Sequence, residues 1–192
     1  MYAEFLEGLD QLAPQPAYCA WNASFEPQAD NTANDPNLPV VGVDFCDARA
    51  YCEWAGKRLC GKIGGGATAF DAFDDSSESQ WFAACTAGGT RFFPYGNEYD
   101  GSLCNGVDYG AGALIPVGTS ECEGGYDGIF DMSGNAWEWE NACDGADGVT
   151  DQCRLRSGEF SNPEGFLRCD YGAFFIGRDF VSNTIGIRCC GP

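Results

Sequence analysis

Twelve cysteines in 192 residues constrain this chain more than any other feature. They stand at Cys19, Cys46, Cys52, Cys60, Cys85, Cys104, Cys122, Cys143, Cys153, Cys169, Cys189 and Cys190. No two have the C-x-x-C spacing of a zinc ribbon, and histidine does not occur. An even number of cysteines spread along the chain reads as a disulfide framework, which forms and persists in oxidising compartments. The expected location is therefore secreted, or otherwise extracellular or periplasmic. The opening Met1-Tyr2-Ala3-Glu4-Phe5-Leu6 lacks the basic and apolar regions of a signal peptide and reads as a processed or trimmed end. One bridge is expected from spacing: Cys143–Cys153 closes an Asp/Gly-rich loop too short to pack itself, a closure worth about 3 kcal/mol in the chain-entropy model. The neighbours Cys189 and Cys190 point to opposite faces of a strand, so they need different partners.

The length suits one domain over 1–192. Core material is present in 14 Phe, 8 Tyr and 5 Trp, while 27 Gly and 9 Pro point to short strands, tight turns and long loops. A net charge of −19 disfavours nucleic acid as a partner and suits cations, calcium above all, or keeps an exported protein soluble. No run of 18 apolar residues exists, so no membrane span is expected.

Along the chain, Tyr2, Phe5, Leu6 and Leu9 share one face of a short helix over 2–9. Residues 13–39 are Pro- and Asn-rich and read as a long loop pinned by Cys19 and Trp21; the loop carries the pattern Asn22-Ala23-Ser24 of a glycosylation acceptor. Asp44 is an N-cap candidate for the best helix, Phe45 to Ala55, with Phe45, Ala48, Tyr51, Cys52 and Ala55 on one face and Gly56 as its stop. A further helix is expected over 77–87. Beyond Gly88 the spacing of Gly, Asn and Asp leaves loops and short strands. The fold class is α+β.

The most chemically suggestive stretch is Asp131-Met132-Ser133-Gly134-Asn135-Ala136-Trp137-Glu138. Asp131 and Glu138 supply charge, and a Gly-containing turn can aim the carbonyls of Gly134 and Ala136 inward, an oxygen set suited to calcium. The plainer reading is a tight turn whose carboxylates cap backbone amides. Trp137, Trp139, Trp81, Phe82, Phe92 and Phe93 read as core aromatics.

Six segments in order resemble the formylglycine-generating-enzyme (sulfatase-modifying-factor) family: PVVGVDFCDARAYCEWAGKRL at 39–59, WFAACTAGGTRFFPYGN at 81–97, PVG at 116–118, GIFDMSGNAWEWE at 128–140, RLRSGEF at 154–160 and IGIRC at 185–189. The resemblance implies a C-type-lectin-like fold with two helices, a small twisted antiparallel sheet and long loops ordered by calcium. It implies Asp131, Gly134, Ala136 and Glu138 as metal ligands, and a second calcium place at Asn105 and Gly106. It implies a bridge between Cys85 and Cys189. The family's first strands, with their Gly-Gly-x-Phe-x-Met-Gly run, have no counterpart here, as in a fragment or an edge built differently.

The family's oxidising members bind copper(I) through two cysteines shortly after a Gly-Gly-Ser-aromatic strand. Here that strand reads Ser157-Gly158-Glu159-Phe160, and the pair's positions fall on Asn162 and Leu167, with no cysteine between Cys153 and Cys169. The sulfoxide synthases of the same family hold iron with histidines, which this chain lacks. The expectation is a non-catalytic, calcium-stabilised extracellular binding or structural module. Its loops offer Glu159, Asn162, Tyr171, Phe174 and Phe175 to a protein or glycan ligand, or bury the last three. The alternative is an enzyme of the family oxidising a side chain of a partner protein.

Overall fold

Asp44 starts the longest helix as its spacing predicts. In the computed structural model, which describes residues 1–28 and 35–191, α2 runs Phe45–Trp54. The Asp47 N–H donates to Asp44 Oδ1 (2.9 Å) and the Asp44 N–H to Asp47 Oδ2 (3.1 Å), a reciprocal capping box with aspartate in the third position. Gly56, at φ +69°, supplies the left-handed residue that ends the helix. Phe45, Ala48 and Cys52 are buried, Tyr51 is half-buried and Ala55 exposed, so the core-facing stripe is narrower than the spacing suggested. Asn22 reaches into this cap, its Nδ2 donating to Asp47 Oδ1 (2.8 Å), so the amide of the glycosylation pattern is buried and already engaged.

Burial moves both cap carboxylates well above the usual range. Asp44 is raised to about 6 by desolvation, and Asp47 to about 7 by desolvation and then by the charge of Asp44. A carboxylate whose folded pKa lies above its unfolded value holds its proton in the folded state while the unfolded chain has lost it. Stability is therefore fully present below about pH 4 and falls as pH rises toward 7. We expect the Tm to drop between pH 5 and pH 8 in a pH-resolved thermal scan, and Asp47→Asn to flatten that slope. An unchanged slope would show that the general acidity of the chain, rather than this cap, sets it.

α1 (Tyr2–Glu7) lays Tyr2 and Phe5 against Phe25, Tyr51 and Trp54. It ends at Gly8, where a Cβ would sit 2.9 Å from the Trp54 indole nitrogen, so Leu9 turns away from the expected face and is exposed. α3 (Gln80–Cys85) is shorter than its pattern. Asp75 accepts from the Ser77 N–H and hydroxyl, holding 75–78 as a turn, and Ser79 becomes the N-cap.

β1 (Arg58–Leu59) pairs with β8 (Cys189–Cys190), and β2 (Glu123–Gly124) with β3 (Tyr126–Phe130). The main sheet has the order β6-β5-β4-β7, from β4 (Trp137–Cys143), β5 (Gln152–Arg156), β6 (Phe175–Gly177) and β7 (Ile185–Ile187). β5 is antiparallel to β4 and β6, whereas β7 lies parallel to β4 after a long connection. Strand alternation divides β4. Trp137 and Trp139 face the core under α2, where Phe45 meets Trp139 edge-on at 6.0 Å. Glu138 and Glu140 face the other way, toward α3 and Trp81. There Glu140 pairs with Arg156 (3.5 Å), both side chains 0% exposed. Of the expected core aromatics, Phe92 is the exception: it is 46% exposed beneath the Arg168 guanidinium.

All twelve cysteines are bridged: Cys19–Cys46, Cys52–Cys189, Cys60–Cys190, Cys85–Cys169, Cys104–Cys122 and Cys143–Cys153. The bridge expected between Cys85 and Cys189 is corrected by this pattern. Cys189 sits opposite Leu59 in the β1–β8 ladder, beside the end of α2, and meets Cys52 there. Cys169 is drawn under α3 by the Phe92 carbonyl (2.8 Å) and Arg156 (2.7 Å), and so meets Cys85. Six bridges persist in an oxidising compartment. No helix among the described residues is long and apolar enough to cross a membrane.

Candidate functional site

The stretch singled out for its oxygens forms one wall of a cavity of about 600 Å³, lined by Asp131, Asn135, Ala136, Glu138 and Arg188. Its backbone is unusual. Asp131 (φ +58°), Gly134 (φ +76°) and Asn135 (φ +65°) are all left-handed, as is Ser157 (φ +87°) on the strand end packed against them. Only glycine fits at 134, because a Cβ there would stand 2.4 Å from the Asn105 carbonyl oxygen. That crowding shows how closely the two stretches expected to hold metal approach each other.

Asn135 is the hub of this approach. Its Oδ1 accepts from the Asn105 Nδ2 (3.1 Å) and the Ile115 N–H (3.0 Å), and its Nδ2 donates to the Ile115 carbonyl (3.1 Å). Ser157 closes the other side: the Gly134 N–H donates to its carbonyl (2.8 Å) and its hydroxyl donates to the Gly134 carbonyl (3.0 Å). Asn105 Oδ1 is buried and has no hydrogen-bond partner.

The two carboxylates have other work. Asp131 accepts from the Gly118 N–H (2.7 Å) and the Ser120 hydroxyl (3.0 Å), pinning the 116–120 turn. Glu138 accepts from the Trp81 indole (2.7 Å) and from Arg188 through Nε and Nη2 (2.7 Å each), a bidentate pair that raises the arginine's pKa. Two oxygens per carboxylate carry about four lone pairs. Asp131 therefore keeps one free on each oxygen, and Glu138 keeps one on Oε1. The set has the hard-oxygen character that suits calcium, with the unpartnered Asn105 Oδ1 nearby, but it also holds a guanidinium against Glu138. Among the described residues no three His, Cys, Asp or Glu side chains gather as a metal cluster.

The five residues expected to meet a ligand do not form one patch. Glu159 and Asn162 belong to a loop turned on itself: Glu159 accepts from the Ser161 hydroxyl and N–H and from the Asn162 Nδ2 (3.2 Å). The Asn162 carbonyl takes the Val107 N–H (3.0 Å), and the Asn135 carbonyl takes the Phe160 N–H (3.2 Å), so this loop lies on the Asn105–Asn135 hub. Leu167, the other position where a catalytic cysteine was sought, is buried. Tyr171 and Phe174 are half-buried, packed on Trp137 at 6.1 and 4.7 Å. Phe175 points to the opposite face, exposed, beside Phe70 (5.4 Å) and Arg154. Sequence reasoning missed the role of Arg188, which lies inside the quoted IGIRC segment and directly follows β7, and that of Trp81, which it assigned to packing alone.

Comparison with known proteins adds the following. The model of the sulfatase-modifying factor enzyme 1-like domain matches residues 2–191. The inactive C-alpha-formylglycine-generating enzyme 2 of Bos taurus is 31% identical over 113 residues, which cover 53% of this chain and 32% of that protein. The formylglycine-generating enzyme of Mycobacterium tuberculosis is 35% identical over 130 residues, 65% of this chain and 39% of that one. The chain thus spans about a third of the length of the curated relatives it matches. Among solved structures, PvdO from Pseudomonas aeruginosa superposes with a TM-score of 0.64 at 18% identity, covering 97% of this chain and 74% of that chain. Treponema denticola variable protein 1 gives 0.57 at 14% identity, with 94% and 78% covered.

Proposed function

The chain belongs to the family of the sulfatase-modifying factor enzyme 1-like domain, and from that premise we propose that it is a non-catalytic binding or structural module of an exported protein. The observation that carries this reading is the cysteine inventory. All twelve are committed to bridges, and the stretch from Ser157 to Arg168, where the family's thiol pair is sought, has none. A relative matched over half of this chain is itself named inactive. Copper(I) prefers thiolate ligands, and a bridged cysteine offers none. The test is the intact mass of the native, unreduced protein with and without an alkylating agent. An unchanged mass is expected. Two alkylated thiols near the 157–170 loop would overturn the reading in favour of an oxidase acting on a partner protein.

Calcium is part of the proposal. Asp131, Glu138 and the carbonyls of Gly134 and Ala136 would hold one ion, Asn105 and Gly106 belong to a second place beside it, and calcium would stiffen the meeting of 104–118, 131–138 and 157–162. The support is the lone-pair inventory and the buried, unpartnered Asn105 Oδ1. We expect millimolar calcium to raise the Tm over that in EGTA, and Asp131→Asn to lessen the rise; identical unfolding curves would remove calcium from the account. Ligand capture, of protein or glycan, would fall to the loop of Glu159 and Asn162, with exposed Phe175 a separate contact on the opposite face and Tyr171 and Phe174 packed on Trp137.

A further inference from the structure

β6 is an outer strand of the main sheet, and its register leaves part of its backbone unused. The Leu155 N–H donates to the Phe174 carbonyl (3.1 Å), and the Arg178 N–H donates to the Asp151 carbonyl (3.2 Å). In an antiparallel ladder such bonded pairs alternate with unbonded ones. Cys153 and Ile176 are therefore a bonded pair, whereas Phe175, opposite Arg154, turns its own N–H and C=O away from β5. No other segment among the described residues bonds to either group. Phe175 thus presents one donor and one acceptor at an open sheet edge.

The side chain beside that edge is open as well. Phe175 is 44% exposed, and its ring meets that of Phe70 at 5.4 Å. The Arg154 guanidinium supports both rings from within, 4.1 Å from the Phe70 centroid and 5.6 Å from that of Phe175, with its own side chain 6% exposed. Outside stand carboxylates. Asp71 lies 4.0 Å from Arg154 Nη2 and its side chain is 99% exposed; Asp74, three residues on, is exposed too. Burial pulls the Arg154 pKa down, and Glu140, Asp71 and Asp74 oppose that pull. The rim therefore carries two outward-facing acids against one arginine held inside.

We propose that β6 is a docking edge for an extended, basic segment of a partner protein, paired through the Phe175 N–H and C=O. An extended chain brings backbone donors and acceptors of its own and sends alternate side chains to one face. Lysine or arginine at those positions meets Asp71 and Asp74 and lies over the exposed Phe175 ring. The net charge of −19 favours the approach of such a segment over an acidic one. This inference rests on the binding-module reading and names the class of its partner; the alkylation count tests that reading separately.

The test uses the native, disulfide-intact protein and a fluorescein-labelled peptide of about eight alternating lysines and threonines. Anisotropy is read at about 150 mM salt, where charges more than about 8 Å apart are largely screened. We expect saturable binding, weakened roughly tenfold when glutamine replaces lysine and when Phe175→Ser is made. Asp71→Asn with Asp74→Asn should weaken it by a similar factor. Glu7→Gln with Asp10→Asn, which removes the same charge from exposed positions around α1, should leave it unchanged. Exchange of the Phe175 amide proton with water should slow roughly tenfold in the complex. A fully bridged protein that does not bind the peptide overturns this proposal alone. Equal losses in the two acid double variants, or unchanged Phe175 amide exchange in the complex, also overturn it. So does Phe175-dependent binding of maltohexaose in place of the peptide, which would make the rings a glycan platform.

Discussion

Arg156→Met lowers the unfolding free energy by about 3–5 kcal/mol, the usual cost of leaving one member of a buried ion pair alone. The geometry explains why the loss is large. Arg156 is 0% exposed, lies 4.6 Å over the Trp81 ring, donates to the Cys169 carbonyl (2.7 Å) and faces Glu140 at 3.5 Å. Glu140 receives only the Ser79 hydroxyl in addition (2.6 Å), and its other oxygen depends on the arginine's charge. Desolvation already pushes the Glu140 pKa up, and the arginine opposes that push. In the variant the carboxyl takes a proton at higher pH, so the loss is smaller at pH 5 than at pH 8. The double variant Glu140→Gln with Arg156→Met recovers much of the loss, because no uncompensated charge remains. Denaturant unfolding of the unreduced proteins at both pH values checks this. A double variant no more stable than the single one would mean that the arginine acts through packing alone.

The paired bridges at Cys189 and Cys190 give the second large effect, and it is non-additive. Cys52–Cys189 and Cys60–Cys190 each close more than a hundred residues in isolation, with sequence separations of 137 and 130. They interleave along the chain and lie side by side, however. While one is intact, the other closes a ring of only about ten residues, worth about 3 kcal/mol in the chain-entropy model. When both are gone, the second removal releases a ring of about fifty residues limited by Cys85–Cys169, worth about 4 kcal/mol. Replacing Cys52 and Cys189 by serine, Cys60 and Cys190 by serine, and then all four should show the four-residue variant losing more than the sum of the two pairs. The steps are read as urea midpoints. Equal, additive losses would show that enthalpy at the β1–β8 ladder governs these bridges instead of chain closure.

Much of the fold was legible because its signals are local. Asp44 with Gly56 framed α2, the Asp/Gly content of 144–151 announced the Cys143–Cys153 closure, and adjacent Cys189 and Cys190 had to diverge. What escaped depends on distant approach. Nothing near Cys85 says that Arg156 and the Phe92 carbonyl draw Cys169 beneath it. Nothing near Glu138 says that Arg188, fifty residues on, becomes its partner. The parallel placement of β7 is invisible for the same reason, since no turn connects it to β4. At the candidate site the residue types were legible and their saturation by Gly118, Ser120, Trp81 and Arg188 was not. Phe174 and Phe175 show the limit most simply: alternation says they face opposite ways, but only the fold says that Trp137 waits on one side and water on the other.

The inward turn of the arginines alters how the whole molecule presents itself in an electric field. Arg154, Arg156 and Arg178 have side chains 6%, 0% and 3% exposed, spent on Asp71, Glu140 and Asp151. The outer shell is consequently left with few cations to interleave among its carboxylates. In electrophoresis and on a positively charged resin, mobility and retention will follow that predominantly anionic surface. Two copies will keep their distance at low ionic strength and crowd more readily as salt thickens the solution.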